Sequence, residues 1–229
     1  MKVAIMIGSG IFVEVSWKDE ATQTNAMKIF LILVLLVVGI PQRVLSAPGG
    51  WGPSDLLQNS MAFFTNLVIH ESGHFIVAET ADATGNRLDF FSRKEGTFFL
   101  GRSTVSTIDE KSRAPYFLGG EIATSLNFEI ALHRYRSVPT TYNRSLLFFS
   151  GTDFLWYTLY AFYLAPSRDE HYDPVAISHE TGLSPEAILG IAATQTVLNA
   201  YRIYSGQDQF FPYFTFDKES VSFLVGIPF

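Results

Sequence analysis

The chain has 229 residues, of which 48% are hydrophobic and 17% are charged, and its formal net charge is −6. An average soluble domain is about 25% charged, so this balance favours a membrane protein or an unusually apolar soluble protein. The negative net charge argues against a nucleic-acid-binding protein, and the absence of cysteine excludes disulfide frameworks and cysteine-ligated zinc. Any metal ion must therefore be held by His, Asp or Glu.

The N-terminal region predicts a targeting segment. Residues 1–26 differ in composition from the rest of the chain, and one hypothesis is that they are an over-extended N-terminus before a true start at Met27. Residues 27–47 combine a lysine, an apolar stretch and a small-residue end, which is the layout of a secretory signal peptide. The alternative is an uncleaved membrane anchor, although the apolar stretch at 29–40 is short for a span of about 20 residues.

The remainder of the chain predicts a mainly helical protein. The segment 144–165 contains 22 residues with Asp153 as its single acid, so it is the clearest candidate for a membrane-spanning helix. Ser184-Pro185-Glu186 is a strong helix start. The predicted elements, in chain order, are a helix at about 55–80, two short aromatic strands within 87–105, helices at about 120–135, 144–165 and 185–204, and strands in the C-terminal tail, 206–229.

The motif His70-Glu71-Ser72-Gly73-His74 lies in an otherwise apolar run, NLVIHESGHFIVAE. On a helix, positions i and i+4 share one face, so both imidazoles can reach one zinc ion. Zinc lowers the pKa of a bound water toward about 7, and the neighbouring carboxylate takes the proton as that water attacks a carbonyl. The alternative is that both histidines are satisfied core residues and the glutamate faces solvent, but an unpaired charge in such a run is costly.

A catalytic zinc also needs a third protein ligand. Four acids are candidates, and the periodicity of the sequence does not choose among them: Glu121, Asp153, Asp169 and Asp173. Glu121 would suit a soluble peptidase with a glutamate ligand. Asp153 lies in the most apolar segment, where an acid indicates function. Both are also expected as buried partners that hydrogen-bond a ligand histidine.

These motifs resemble those of the site-2 protease family, the intramembrane zinc metalloproteases, and in particular its short bacterial branch. The resemblance covers about residues 60–200: HESGHFIVAETADATG is similar to the family's first motif, FLGGEIATSLNFEIAL to its small-residue helix, and YLAPSRDEHYDPVAISHETGLSP to the motif with the third ligand. It implies that His70, His74 and Asp173 bind Zn²⁺ and that Glu71 is the catalytic base. The chain has Tyr163 where the family often has an asparagine, so either another donor replaces that residue in holding the substrate or the oxyanion, or activity is compromised.

The resemblance also implies a mainly α fold, a multi-pass membrane helical bundle with a short β-hairpin after the HExxH helix. Residues 48–205 would form a zinc metalloprotease domain, an endopeptidase for membrane-associated protein substrates that is embedded in the lipid bilayer. Two alternatives remain: a soluble secreted or periplasmic zinc peptidase with Glu121 as third ligand, and a zinc-binding scaffold without hydrolytic activity. A DNA-binding helix-turn-helix at 176–192 is disfavoured by the acidic charge and by the shortage of Lys and Arg.

Overall fold

The computed structural model describes residues 2–7, 11–16, 52–94, 97–164, 172–216 and 221–226. The helices are α1 (Pro53–Thr80), α2 (Glu110–Ser137), α3 (Thr141–Leu159), α4 (Asp173–Thr181) and α5 (Pro185–Ser205), and a π-helical turn, Tyr160–Leu164, follows α3. The described strands form antiparallel pairs of consecutive strands: β1 (Lys2–Ile7) with β2 (Ile11–Ser16), β3 (Arg87–Lys94) with β4 (Thr97–Thr104), and β5 (Phe211–Phe216) with β6 (Val221–Gly226). The predictions of a mainly helical chain and of a hairpin after the HExxH helix are confirmed.

Local chemistry explains where the last two helices begin and end. The Ser184 hydroxyl accepts a hydrogen bond from the Ala187 N–H, and Pro185 occupies the first turn of α5, as the sequence predicted. Gly182 and Gly206, which come directly after α4 and α5, both have φ of +69°. That left-handed conformation favours glycine and ends a helix cleanly.

A polar layer separates two apolar clusters within the helices. One cluster joins α2, α3, α4 and α5, and the other joins α1, α2 and α3. Along each of α1, α2 and α3, buried polar residues lie next to or between the residues of these clusters. Since burying unsatisfied polar groups is costly, this layer needs internal partners. Its buried members are Asn66, His70, His74, Glu121, Thr124, Asn127, Ser150 and Thr152.

Helices α1 and α2 approach each other at a pair of glycines. A Cβ at position 73 would lie 2.1 Å from the carbonyl oxygen of Gly119 and 2.6 Å from the Ala123 Cβ. A Cβ at position 119 would in turn lie 2.8 Å from the carbonyl oxygen of Gly73. The two backbones therefore touch, which places His74 on α1 directly opposite the next residue of α2, Gly120.

The prediction of a multi-pass membrane bundle is wrong. Among the described residues, every helix is too short or too polar to cross a bilayer. In the segment proposed as a span, α3 carries Arg144, Ser150, Thr152 and Asp153, which lower its mean hydropathy. The predicted signal peptide or anchor at 27–47 lies outside the described residues.

Two helical segments differ from the predicted boundaries. Helix α2 begins at Glu110, about ten residues before the predicted start, and it continues through Pro115. Asp109 caps it by accepting a hydrogen bond from the Lys111 N–H at 2.9 Å. Helix α4, which is not among the predicted elements, begins at Asp173 with Pro174 in its first turn, a position that proline tolerates.

The end of α5 is fixed by a buried arginine. The Arg202 side chain is only 4% exposed; its guanidinium donates to both carboxylate oxygens of Glu129 on α2 and to Asp208 after α5. We expect Arg202→Met to lower the free energy of unfolding by about 2–3 kcal/mol, below the 3–5 kcal/mol typical of a broken buried pair, because both carboxylates can rehydrate. Urea unfolding measures this change.

Arg87→Met is the matched control for that experiment. The Arg87 side chain is 71% exposed and pairs with Asp89 two residues away, so its loss should cost less than about 1 kcal/mol. Equal destabilisation by the two substitutions would contradict an anchoring role for Arg202.

Candidate metal centre

Three donor atoms from α1 and α4 converge at one point. His70 and His74 are one turn apart on the buried face of α1, and Asp173 is the first residue of α4. His70 Nε2 lies 3.2 Å from Asp173 Oδ2 and 3.2 Å from His74 Nε2, and His74 Nε2 lies 3.2 Å from Asp173 Oδ2. The structure thus brings together the three residues that the sequence analysis proposed as ligands.

The spacing of these atoms suits a tetrahedral zinc ion. Zinc bonds to imidazole nitrogen and carboxylate oxygen are about 2.0–2.1 Å long, so neighbouring donors of a tetrahedron lie about 3.3 Å apart. The observed separations of 3.2 Å are close to that value. Two imidazoles with one carboxylate are also a donor set that zinc accepts at catalytic sites. The residues present therefore fit the metal that the motif implies.

The hydrogen bonds behind the histidines direct both lone pairs toward this point. His74 Nδ1 lies 2.7 Å from the Tyr116 carbonyl oxygen, which can only accept, so Nδ1 carries the proton. His70 Nδ1 lies 2.9 Å from Asp153 Oδ2, so a proton on this Nδ1 likewise donates a hydrogen bond to the carboxylate. Each neutral imidazole then presents an unprotonated Nε2 beside the Asp173 carboxylate. Two lone pairs and a negative oxygen repel one another unless a cation lies between them.

Gly120 on α2 forms the wall of this centre. A Cβ at position 120 would lie 2.4 Å from His74 Nε2, 2.5 Å from His70 Nε2 and 2.7 Å from His70 Cδ2. Any side chain larger than hydrogen would therefore fill the space beside the two donor nitrogens. The glycine at this position keeps that space open.

A chain of hydrogen bonds orients His70 from behind. The Asn127 amide donates to Asn66 Oδ1 at 3.1 Å, the Asn66 amide donates to Asp153 Oδ1 at 2.9 Å, and Asp153 Oδ2 receives the His70 Nδ1–H. Asp153 thus hydrogen-bonds a histidine that is a candidate ligand, which is one of the two roles that the sequence left open for it. Such partners fix the tautomer and the ring direction of a ligand histidine.

The electrostatics of the centre favour positive charge. Burial alone would lower the pKa of His70, but the charge of Asp153 and the hydrogen bonds of Asp153 and Asp173 outweigh it and hold the pKa well above its usual value. Burial would raise the pKa of Asp173, yet the charge of His74 and the hydrogen bonds from both histidines hold it well below its usual value. Either a proton or a metal cation supplies the positive charge that this arrangement stabilises.

The side chain of Glu71 lies between its own helix, α1, and the β3–β4 hairpin. Its Oε2 accepts a hydrogen bond from the Ser103 N–H on β4 at 2.8 Å. Strand β4 also packs onto the side chain, because a Cβ at position 101 would lie 2.8 Å from Glu71 Cγ. Burial raises the pKa of Glu71, while the charges of His70 and His74 oppose that rise. The hairpin after the motif therefore positions the expected base.

Glu121 is completely buried but takes a different position from Asp173. Its carboxylate lies near donor atoms of His70 and Asp153, and its Oε1 has no hydrogen-bond partner among the described residues. Burial raises its pKa well above the usual value, which favours a neutral carboxyl group. Both Asp153 oxygens already accept hydrogen bonds, so this second group is a poorer metal site. Asp169 lies outside the described residues.

Two tyrosines at the centre were not predicted from the sequence. The Tyr116 ring lies 5.5 Å from the His74 ring, and burial raises the pKa of its hydroxyl to about 12. The Tyr157 ring lies 5.9 Å from the His70 ring, and burial raises its pKa well above the usual value. One sequence feature could have identified Tyr157. It lies one helical turn after Asp153, which places both residues on one face of α3.

The chain has no significant match among protein-family models, curated proteins or solved structures. The assignment of a function therefore depends on the geometry of this centre and on the residues that form it.

Proposed function

We propose that the protein is a zinc-dependent peptidase in which His70, His74 and Asp173 hold the metal ion and Glu71 is the general base. The observation that carries this proposal is the triangle of donor atoms with 3.2 Å sides, formed by two histidines whose Nδ1 protons are already engaged. A purely structural core has no need of two converging lone pairs beside a carboxylate.

Bound zinc would supply Lewis acidity, which polarises a carbonyl oxygen and acidifies water. The chain's own groups perform the remaining tasks. The Glu71 carboxylate takes the proton of the attacking water and delivers it to the leaving nitrogen. Because the Ser103 N–H holds Oε2, this proton transfer is assigned to Oε1. Asp153 and the Tyr116 carbonyl keep both imidazoles in the tautomer that leaves Nε2 free.

The position of Glu71 favours catalysis over a metal-binding scaffold. A scaffold requires the two histidines and Asp173 but gives no role to an acid beside His70. Here that acid is partly buried against the hairpin and is held in place by a backbone hydrogen bond from β4. Burying a carboxylate is costly, so its presence indicates a function. A membrane-anchored substrate and a secreted or periplasmic location stay predictions.

Glu71→Gln tests the catalytic role directly. The amide keeps the size of the side chain but cannot accept the proton of water, so we expect zinc content to stay unchanged while hydrolysis falls by about 10²–10⁴-fold. Zinc-loaded protein would be incubated with an unfolded casein, and new N-termini would be counted by mass spectrometry.

Glu79→Gln, on the exposed end of α1, is the matched control and should retain full activity. A Glu71→Gln variant that cleaves casein at the rate of the original protein would contradict the proposed mechanism. A zinc-loaded original protein that leaves casein and membrane-anchored peptides uncut would favour the scaffold instead.

A further inference from the structure

Tyr157 contacts two of the three proposed ligands from α3. It comes four residues after Asp153, so both side chains project from one face of the helix toward His70. Asp153 binds His70 Nδ1, and the Tyr157 ring lies edge-on to the His70 ring, with the centroids 5.9 Å apart and an interplanar angle of 63°. The ring is therefore fixed beside the donor nitrogen of His70.

The hydroxyl of Tyr157 lies at the start of α4. Its oxygen faces the backbone N–H of Asp173, the residue whose carboxylate completes the donor triangle. A phenol has one proton to donate and can accept at the same time. Because the Asp173 N–H occupies the accepting side of the oxygen, the hydroxyl proton is available to a group bound at the centre.

The other tyrosine at the centre is engaged elsewhere. The Tyr116 hydroxyl points to Ser103 Oγ, 3.5 Å away on β4, and its carbonyl oxygen holds His74. It therefore supports the side of the centre that carries Glu71. Tyr157 lies on the side of the centre that is formed by His70 and Asp173, so the hydroxyl groups of the two tyrosines have different roles.

We propose that the Tyr157 hydroxyl donates a hydrogen bond to the carbonyl oxygen of the scissile peptide and to the negative charge that develops on it. This inference rests on the proposed peptidase function and adds a catalytic residue to it. Donors aimed at a developing oxyanion are among the largest contributions to acyl-transfer catalysis.

Tyr157→Phe removes the hydroxyl and keeps the ring against His70. The experiment uses cobalt-loaded protein, whose visible absorption reports anions that bind at the metal, and titrates it with inorganic phosphate and with azide. Phosphate offers a second oxygen to a neighbouring donor, whereas azide offers no such oxygen. We expect the Kd for phosphate to rise about 10- to 100-fold, as for the loss of a hydrogen bond to a charged group, and the Kd for azide to stay the same.

The casein assay supplies a second readout. We expect kcat to fall about 10²–10³-fold with KM little changed, the effect typical of losing one oxyanion donor. Tyr142→Phe is the matched control, because the Tyr142 hydroxyl donates to Thr65 away from the centre. It should leave both titrations and the hydrolysis rate unchanged.

The outcomes separate this inference from the proposed function. Equal phosphate affinity in Tyr157→Phe and the original protein, or equal weakening for phosphate and azide, would overturn the role of the hydroxyl. Loss of metal from Tyr157→Phe would also overturn it, by showing that the hydroxyl only holds Asp173 in place. A protein that takes up metal but does not cleave casein would overturn the peptidase function, whatever the phosphate titration gives.

Discussion

Gly120→Ala is expected to abolish zinc binding while the rest of the helices stay folded. The new Cβ would lie 2.4 Å from His74 Nε2 and 2.5 Å from His70 Nε2, distances that real Cβ atoms do not adopt. Neither ring can turn aside easily, because the Tyr116 carbonyl and Asp153 hold the two Nδ1 atoms. The imidazoles must therefore move apart, and the donor triangle is lost. Competition with a chromogenic chelator measures the zinc affinity.

Gly190→Ala provides the control for a glycine-to-alanine change within a helix. Gly190 lies in α5, and a Cβ there would meet no atom of the described residues within 4 Å. Since alanine favours a helix over glycine by about 1 kcal/mol, this variant should bind zinc normally and resist urea slightly better. If Gly120→Ala bound zinc as tightly as Gly190→Ala, the position assigned to the metal would be wrong.

Asp173→Ala is expected to weaken zinc binding far more than any other acid substitution at the centre. Its Oδ2 is the donor atom closest to both Nε2 nitrogens, 3.2 Å from each, so its removal leaves two ligands. Asp153→Asn should weaken binding by about 10- to 100-fold, as outer partners of ligand histidines do, and Asp173→Ala by more than about 100-fold. Isothermal titration of the metal-free variants gives these affinities.

Glu121→Gln is the matched comparison for Asp173→Ala. The Glu121 carboxyl group is buried, and within the described part of the chain its Oε1 has no hydrogen-bond partner. Its raised pKa favours the neutral form, which an amide imitates well. We expect this variant to retain its zinc. Loss of zinc from Glu121→Gln with retention in Asp173→Ala would reverse the ligand assignment and restore the alternative in which Glu121 is the third ligand.

The sequence predicted the elements whose signals are local. The spacing of His70 and His74 in an apolar run predicted the buried face of α1, and Ser184-Pro185 predicted the start of α5. The two short aromatic stretches within 87–105 predicted the β3–β4 hairpin. In each case the residues that specify the element lie within one or two turns of one another.

Other elements depend on contacts that the sequence does not display. Pro115 and the Gly119-Gly120 pair are typical helix breakers, yet α2 continues through them. The two glycines lie where α2 comes into close contact with α1. The apolar residues after Arg144 indicated a membrane span, but Leu146, Leu147, Phe154 and Leu155 are core residues of the helical bundle. Apolar content alone does not distinguish a buried helix from a membrane helix.

The sequence predicted the HExxH motif of the candidate site but did not decide which acid is the third ligand. His70, Glu71 and His74 are specified by five consecutive residues, whereas Glu121, Asp153 and Asp173 are distant in sequence and differ only in three-dimensional position. The structure places Asp173 at the two Nε2 atoms and Asp153 at Nδ1 of His70, and it buries Glu121 with an Oε1 that has no partner in the described segments. The position of Tyr157 one turn after Asp153 is visible in the sequence, but its contact with His70 is apparent only once α3 lies beside α1.

The most direct test of the central claim is the zinc content of the original protein, expressed without a histidine tag and measured by elemental analysis after dialysis. The donor triangle of His70, His74 and Asp173 predicts one zinc ion per chain. A folded protein that contains no zinc, and that takes up none when zinc is added, would contradict the account and leave the HESGH motif without a metal.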